Sequence, residues 1–226
     1  MPSDITLNLL NGMEHFKKGR PVIIIDDFTR ENEGDIVIAA EFASPEIINF
    51  MAKNGRGLIC VAIDEQLARR FDLDLMVRDN SESHRTAFTV SIDAHPKHGI
   101  TTGISAYERS KTIEVLLDPT SRKEDMCRPG HLFPIIAKPN GVMDRRGHTE
   151  ASTDLCKMCG LRPAAVIVEI MKSDGTMARL PDLRKLAKRW DMPLLSIEEI
   201  HAARSQRGTE MSGKSDLQLA SAGGSL

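Results

Sequence analysis

Two apolar runs of strand length, 22–25 (VIII) and 36–40 (IVIAA), bracket a stretch reading DDFTRENEGD over residues 26–35. Asp26, Asp27, Glu31, Glu33 and Asp35 are crowded there with one cation, Arg30, among them. Any fold must place that charge beside a buried strand, where like charges repel and each carboxylate resists losing its water. A divalent cation is the usual agent that offsets such a cluster. A solvated acidic loop is the plain alternative. The spacing of Glu31, Glu33 and Asp35 argues against it, because in an extended segment all three share one face. The loop is expected to be mobile when empty, its charges compensated only by bound metal and substrate.

The composition excludes several classes of function. The chain has 226 residues, enough for one large domain or two small ones with a real core. Aromatic residues make up only 4%, with one Trp and one Tyr, which argues against base stacking on single-stranded nucleic acid. Lys plus Arg number 30 and Asp plus Glu 32, so no global field points to nucleic acid or an anionic membrane. No apolar run approaches the roughly 20 residues of a membrane span. The N-terminus, MPSDITLNLL, has no basic segment before an apolar one, so no signal peptide is expected. Four scattered cysteines (60, 127, 156, 159) suit a reducing cytoplasm better than a disulfide scaffold.

The pattern along the chain predicts a mixed α/β (α+β) fold, a single domain over 1–204 with a mixed sheet and surrounding helices. A first helix capped by Ser3 or Asp4 presents Leu7, Leu10, Phe16 and Met13, and ends at Gly19. Strands are expected at 21–26, 34–41, 58–63, 88–92 and 164–170, with a last one from Leu194 to Ile197. Ser44-Pro45-Glu46 starts a helix, Asp64 caps another, and further helices fall at 106–118 and 150–158. Leu183, Leu186, Ala187 and Trp190 mark an amphipathic helix, and a short one reaches about Arg204. Residues 126–136 read as a Pro-Gly turn and a short strand. From 205 to 226 the chain turns Ser- and Gly-rich, as in a disordered tail. No dinucleotide fingerprint or P-loop is present.

Other polar segments could complete a site with the acid loop. Arg145, Arg146, Gly147, His148 and Thr149 precede a helix; guanidinium groups followed by free helix N–H groups suit a phosphate. His148 is a candidate metal ligand or a capping residue. His131, after Pro129-Gly130, would sit on a rigid loop tip as an acid/base group needs, or be a turn histidine with no role. Glu169, within the apolar AAVIVEI run, is either a general base raised by burial or an edge acid facing water. Cys60 reads as a buried small hydrophobe. Cys156 and Cys159 have zinc-like spacing but no second ligand pair, so two unrelated helix thiols are the better reading. Together the set fits a metal-assisted deprotonation beside the carbonyl of a sugar phosphate.

The segments DDFTRENEGD, GLICVAI, TAFTVSID, GITTGISA, RPGHLFP, RRGHTEASTDL, AAVIVEIM and GTMARLPDL, in that order, resemble those of the 3,4-dihydroxy-2-butanone 4-phosphate synthases. The resemblance spans residues 5–203. It implies a riboflavin-biosynthesis lyase that converts D-ribulose 5-phosphate to L-3,4-dihydroxy-2-butanone 4-phosphate plus formate, through an enediolate and a skeletal rearrangement. It implies Mg2+, replaceable by Mn2+, held by Glu31 and His148, with no organic cofactor. It assigns catalysis to His131 and Glu169. Substrate contacts fall to Arg30, Glu31, Asp35, Arg145, Arg146, Gly147, His148, Thr149 and Glu169. Glu33, Cys60 and Thr102 match positions that line the site. It further implies a cytoplasmic homodimer whose sites take residues from both chains, with no nucleic-acid or membrane partner. Cys127, Cys156 and Cys159 match no family cysteine. Longer relatives carry a GTP cyclohydrolase II domain with a cysteine zinc motif that this sequence lacks, so one activity is expected. A zinc-binding module and a silent scaffold relative are the competing readings.

Overall fold

The computed structural model describes residues 6–206. The strands are β1 (Val22–Ile25), β2 (Gly34–Ala39), β3 (Cys60–Ile63), β4 (Ile92–Ala94), β5 (Met126–Ile136), β6 (Ala164–Glu169) and β7 (Leu194–Ser196). They form one sheet in the order β4-β5-β3-β6-β2-β1-β7. The β1–β7 and β3–β5 pairs are parallel, and the other pairs are antiparallel. The helices are α1 (Leu7–Lys17), α2 (Pro45–Asn54), α3 (Glu65–Arg70), α4 (Ala106–Leu117), α5 (His148–Met158), α6 (Leu180–Trp190) and α7 over 197–206. The expected mixed α+β fold is what the chain adopts.

Both faces of the sheet are covered, and that explains why its central strands are unbroken apolar runs instead of alternating ones. Ile36, Ile38, Val61, Ile63, Val166 and Val168 point to one side, where Ile48, Ile113 and Leu183 of α2, α4 and α6 meet them. Val37, Ala39, Cys60, Ala62, Ala165 and Ile167 point to the other, against α1, α5 and α7 through Phe16, Leu155 and Ile200. This parity fixes where the polar residues at the strand ends must face. Asp35 is in phase with Val37, Glu169 with Ile167, and His131 with Phe133. All three therefore belong to the face covered by α5.

Several local expectations are corrected. In α1 the buried stripe is Leu9, Met13 and Phe16, while Leu7 is 73% and Leu10 44% exposed. Thr6 caps that helix by accepting the Leu9 N–H; Ser3 and Asp4 lie outside the described residues. Gly19, at φ 71°, follows the end of α1 as expected. Residues 126–136 make one continuous strand, β5, running through Arg128-Pro129-Gly130 with a cis Arg128–Pro129 bond. His131 is thus a strand residue, not a loop-tip residue. The strand expected at 88–92 is displaced to 92–94, with Phe88 and Thr89 held only by isolated bridges. Helix α5 begins at His148, two residues before its expected start, with Gly147 as N-cap. The expected tail falls outside the described residues except for Ser205 and Gln206, which continue α7.

Candidate active site

The acid stretch is the β1–β2 connection. Asn32, at φ 55°, breaks the extended run, so Glu31 does not share a strand face with Glu33 and Asp35. A turn delivers it instead. The buried Asp26 carboxylate organises that turn by accepting the backbone N–H groups of Glu31 at 3.0 Å and Glu33 at 2.8 Å. It also accepts from Arg30 Nη1 at 2.9 Å, and the same nitrogen lies 2.8 Å from Glu31 Oε2. Part of the loop's charge is therefore balanced within the loop. The expectation that bound metal and substrate are the sole compensation is too strong. The Asp27 carboxylate accepts from the Thr29 N–H and hydroxyl, and its carbonyl from the Arg30 and Asn32 N–H groups, all local turn contacts.

Glu31 meets His148 at the N-terminus of α5, with Oε2 3.5 Å from Nδ1. Ligand atoms of Asp26, Glu31 and His148 lie within 4.8 Å of one another, the one such metal-competent group among the described residues. His148 is 6% exposed, and its Nε2 is buried without a hydrogen-bond partner. Burial opposes the charge on the imidazole, but Asp35, Glu31 and Asp26 outweigh it and raise His148 to about 9. Burial pushes Glu31 up; contacts with His148 and Arg30 prevail and hold it at about 2. Asp35 is buried, which pushes it up; His148 opposes, while Glu169, Glu31 and Glu33 add to the rise, to about 7. Burial likewise raises Glu33. Like charges packed this closely with one imidazole form an unbalanced site, which a hard cation would balance.

Asp35 stands opposite Glu169 across the β2–β6 ladder. Glu169 is half-buried, and its Oε2 accepts the Leu58 N–H at 2.8 Å. The approach is close enough to require Gly57: a Cβ there would lie 2.3 Å from Glu169 Oε2 and 2.7 Å from Glu169 O. A Gly57→Ala chain is expected to lose about 1–3 kcal/mol of stability, seen as a lower urea midpoint at unchanged slope. Cys60 is buried on the same face, its thiol pushed up first by burial and then by Glu169 and Asp35.

The arginines are committed differently from a free phosphate grip. Arg145 spends Nη1 on Glu150 Oε2 (2.7 Å), Nη2 on Thr86 Oγ1 (2.9 Å) and Nε on the His84 carbonyl (3.2 Å). It straps the 82–86 loop to the start of α5. A Cβ at Gly147 would fall 2.1 Å from Arg145 Nη1, so a larger residue there would push the guanidinium off Glu150. Arg146 is exposed and pairs with Glu198 at 2.6 Å. Gly147 caps α5 without a side-chain hydrogen bond, so the first-turn amides at His148 and Thr149 meet no capping side chain. The backbone N–H groups of Thr101 and Thr102 are already taken by Glu108.

His131 has a partner that the sequence reading did not name. Its Nδ1 lies 2.7 Å from Asp93 Oδ2, and its backbone N–H donates to Asp93 Oδ1 at 2.9 Å. Asp93 was not singled out by sequence, although an acid closing a half-buried strand is a legible signal. His84 was missed as well. Its Nε2 stands 3.7 Å from Glu31 Oε1, and nothing in a polar loop marks it.

A family model for 3,4-dihydroxy-2-butanone 4-phosphate synthase matches residues 11–203. This chain belongs to that family. It is 52% identical over 197 residues to the riboflavin biosynthesis protein RibBA of Aquifex aeolicus, a match covering 87% of this chain and 48% of that protein. RibBA of Bacillus cereus is 52% identical over 207 residues, covering 92% and 51%. The chain thus spans about half the length of the curated relatives it matches. A solved 3,4-dihydroxy-2-butanone 4-phosphate synthase in complex with two magnesium ions superposes with a TM-score of 0.81 at 39% identity, covering 86% of this chain and 95% of that one. The two-domain synthase RibBX from A. baumannii gives 0.81 at 42% identity, covering 85% and 56%.

Proposed function

We propose that this chain is a divalent-metal-dependent lyase that converts D-ribulose 5-phosphate to L-3,4-dihydroxy-2-butanone 4-phosphate and formate, as a step of riboflavin biosynthesis in the cytoplasm. The observation that carries the reading is Glu31 beside His148, whose buried Nε2 has no partner, at the edge of a carboxylate cluster. Glu31 and His148 would hold Mg2+, or Mn2+ in its place, and a magnesium-bound relative of the same fold supports that assignment. When bound, the cation supplies a Lewis acid for vicinal oxygens of the sugar.

The chain's own groups do the rest. Arg30, paired with Glu31, and Asp35, opposite Glu169, would orient hydroxyl groups of the ketose. Glu169 is held by the Leu58 N–H on the α5 face, and His131 lies in phase with that face, so both are assigned to proton transfer. Arg145 to Thr149 form the phosphate end, with the uncapped amides of α5 as donors and Arg145 tying the 82–86 loop to the start of that helix. Proton removal at C3 gives the enediolate; water then leaves from C1, the carbon skeleton migrates, and addition of one water releases C4 as formate, so the water lost is matched by the water consumed. A homodimer with sites shared between chains belongs to the same reading.

The zinc-module reading finds no support among the described residues. Cys156 Sγ contacts Ala164 O at 3.4 Å and Cys159 Sγ contacts Met13 O at 3.7 Å, and neither belongs to a metal-competent group. The deciding experiment is incubation with D-ribulose 5-phosphate and Mg2+. Formate should appear, stop when EDTA is added, and resume with excess Mg2+. A magnesium-loaded, folded chain that yields none refutes the lyase reading.

A further inference from the structure

We propose that Asp93 is a positioning residue that locks His131 in the Nδ1–H tautomer and so presents Nε2 as the nitrogen that exchanges protons with substrate; the inference rests on the lyase reading above. The backbone makes the pairing. Ile92 pairs with Leu132, but Asp93 pairs with Cys127, so the β4–β5 register slips at this point and the Arg128-Pro129-Gly130-His131 segment has no partner in that ladder. Gly130 closes the bulge, its N–H donating to Ser91 Oγ at 3.1 Å and its Cα so near that a Cβ would lie 2.0 Å from the Ile92 carbonyl carbon. The next residue, His131, is thereby set over the Asp93 carboxylate.

The grip has two points. Oδ1 accepts the His131 backbone N–H at 2.9 Å, and Oδ2 faces ring Nδ1 at 2.7 Å. A carboxylate is an acceptor only, so the ring nitrogen that faces it carries the proton. Nε2 makes no hydrogen bond among the described residues, and the His131 side chain is 44% exposed against 11% for Asp93. The reactive nitrogen is open and its anchor is shut away. When Nε2 takes a proton, the ring becomes an imidazolium whose Nδ1–H the carboxylate stabilises; returning the proton restores the starting pair.

The carboxylate is itself held. Gly103, at φ 88°, lies against it so tightly that a Cβ would fall 2.0 Å from Oδ2. The Thr101-Thr102-Gly103 loop is pinned by Glu108, which accepts from the Thr101 and Thr102 N–H groups and from the Thr101 and Ser105 hydroxyls. The other Asp–His pair, Asp125 with His98, differs: Asp125 also takes Lys97 and the Arg122 N–H, as a surface strap would.

Nitrogen NMR of the full chain labelled at histidine reads the tautomer without turnover, with His131→Ser to assign the signal. The native chain should show a protonated Nδ1 and a bare Nε2 in neutral His131. In Asp93→Asn the amide can donate to Nδ1, so the ring should switch to Nε2–H. With Mg2+ and D-ribulose 5-phosphate, kcat should fall about 10²–10⁴-fold with KM within about threefold. An Nε2–H tautomer in the native chain overturns the proposal, whether or not the variant folds. So does an Asp93→Asn chain that keeps the native tautomer with kcat lowered less than about tenfold. A native chain that shows the expected tautomer but releases no formate refutes the lyase reading instead.

Discussion

A Glu31→Ala chain is expected to release formate at least about a thousandfold more slowly than the native chain, because loss of a metal ligand removes several kcal/mol of charge stabilisation from the reaction. The native carboxylate, held at about 2, is ionised at any working pH and so always competent to bind a cation. Its removal leaves His148 Nδ1 without its carboxylate contact and leaves Nε2 still buried and unpartnered. Folding should survive. The turn is organised by the Asp26 carboxylate on backbone N–H groups, which the substitution leaves in place, and Arg30 keeps its bond to Asp26. The thermal midpoint should therefore move little, while Mn2+ affinity, read by calorimetry, falls with activity. Most of the native rate persisting at saturating Mg2+ would remove Glu31 from the ligand set. His148→Ala should behave alike in metal affinity.

The second large effect is at His131. His131→Ser should lower kcat about 10²–10⁴-fold, the range for loss of a general acid or base, and leave KM within about threefold. The side chain is 44% exposed and its strand is held by the backbone ladder, so the loss should be one of chemistry and not of folding. A KM that climbs while kcat holds would make His131 a binding residue. The pair of variants also tests the shared site. If Glu31 and His131 of one site come from different chains, unfolding and reassorting the two inactive variants together should restore about a quarter of native activity, since half the dimers regain one of two sites. No recovery would place both residues of a site on one chain.

Much of this was legible because it depends on local chemistry. The apolar runs at 22–25, 60–63 and 164–168 are strands, and their lack of alternation signals a sheet covered on both faces. Ser44 and Asp64 do cap α2 and α3 through their side-chain oxygens. The misreadings share a cause, in that each depended on what lies across space. Pro129 and Gly130 look like a turn because neither favours a strand interior, yet the register slip against β4 accommodates both in β5. Leu7 and Leu10 look like core because they are apolar, but the sheet lies under Leu9, Met13 and Phe16. Arg145 keeps its proposed place at the phosphate end, but its partners could not be read from its neighbours in sequence. Only the fold brings Glu150, Thr86 and the His84 carbonyl to its guanidinium.

The same division holds for the site. Sequence alone determined the ingredients: a carboxylate-rich turn between two buried strands, a histidine at a helix start, an acid at the end of an apolar strand, and the order of motifs that marks the family. These are properties of neighbours along the chain, where residue type and period suffice. The tertiary structure decided the pairings. Strand parity turned Asp35, Glu169 and His131 to one face, the turn at Asn32 carried Glu31 to His148, and a slip in register set His131 on Asp93. Such contacts join residues 38 to 134 positions apart. They depend on which strands pair and in what phase, and the packing of both sheet faces, not any local preference, sets that phase.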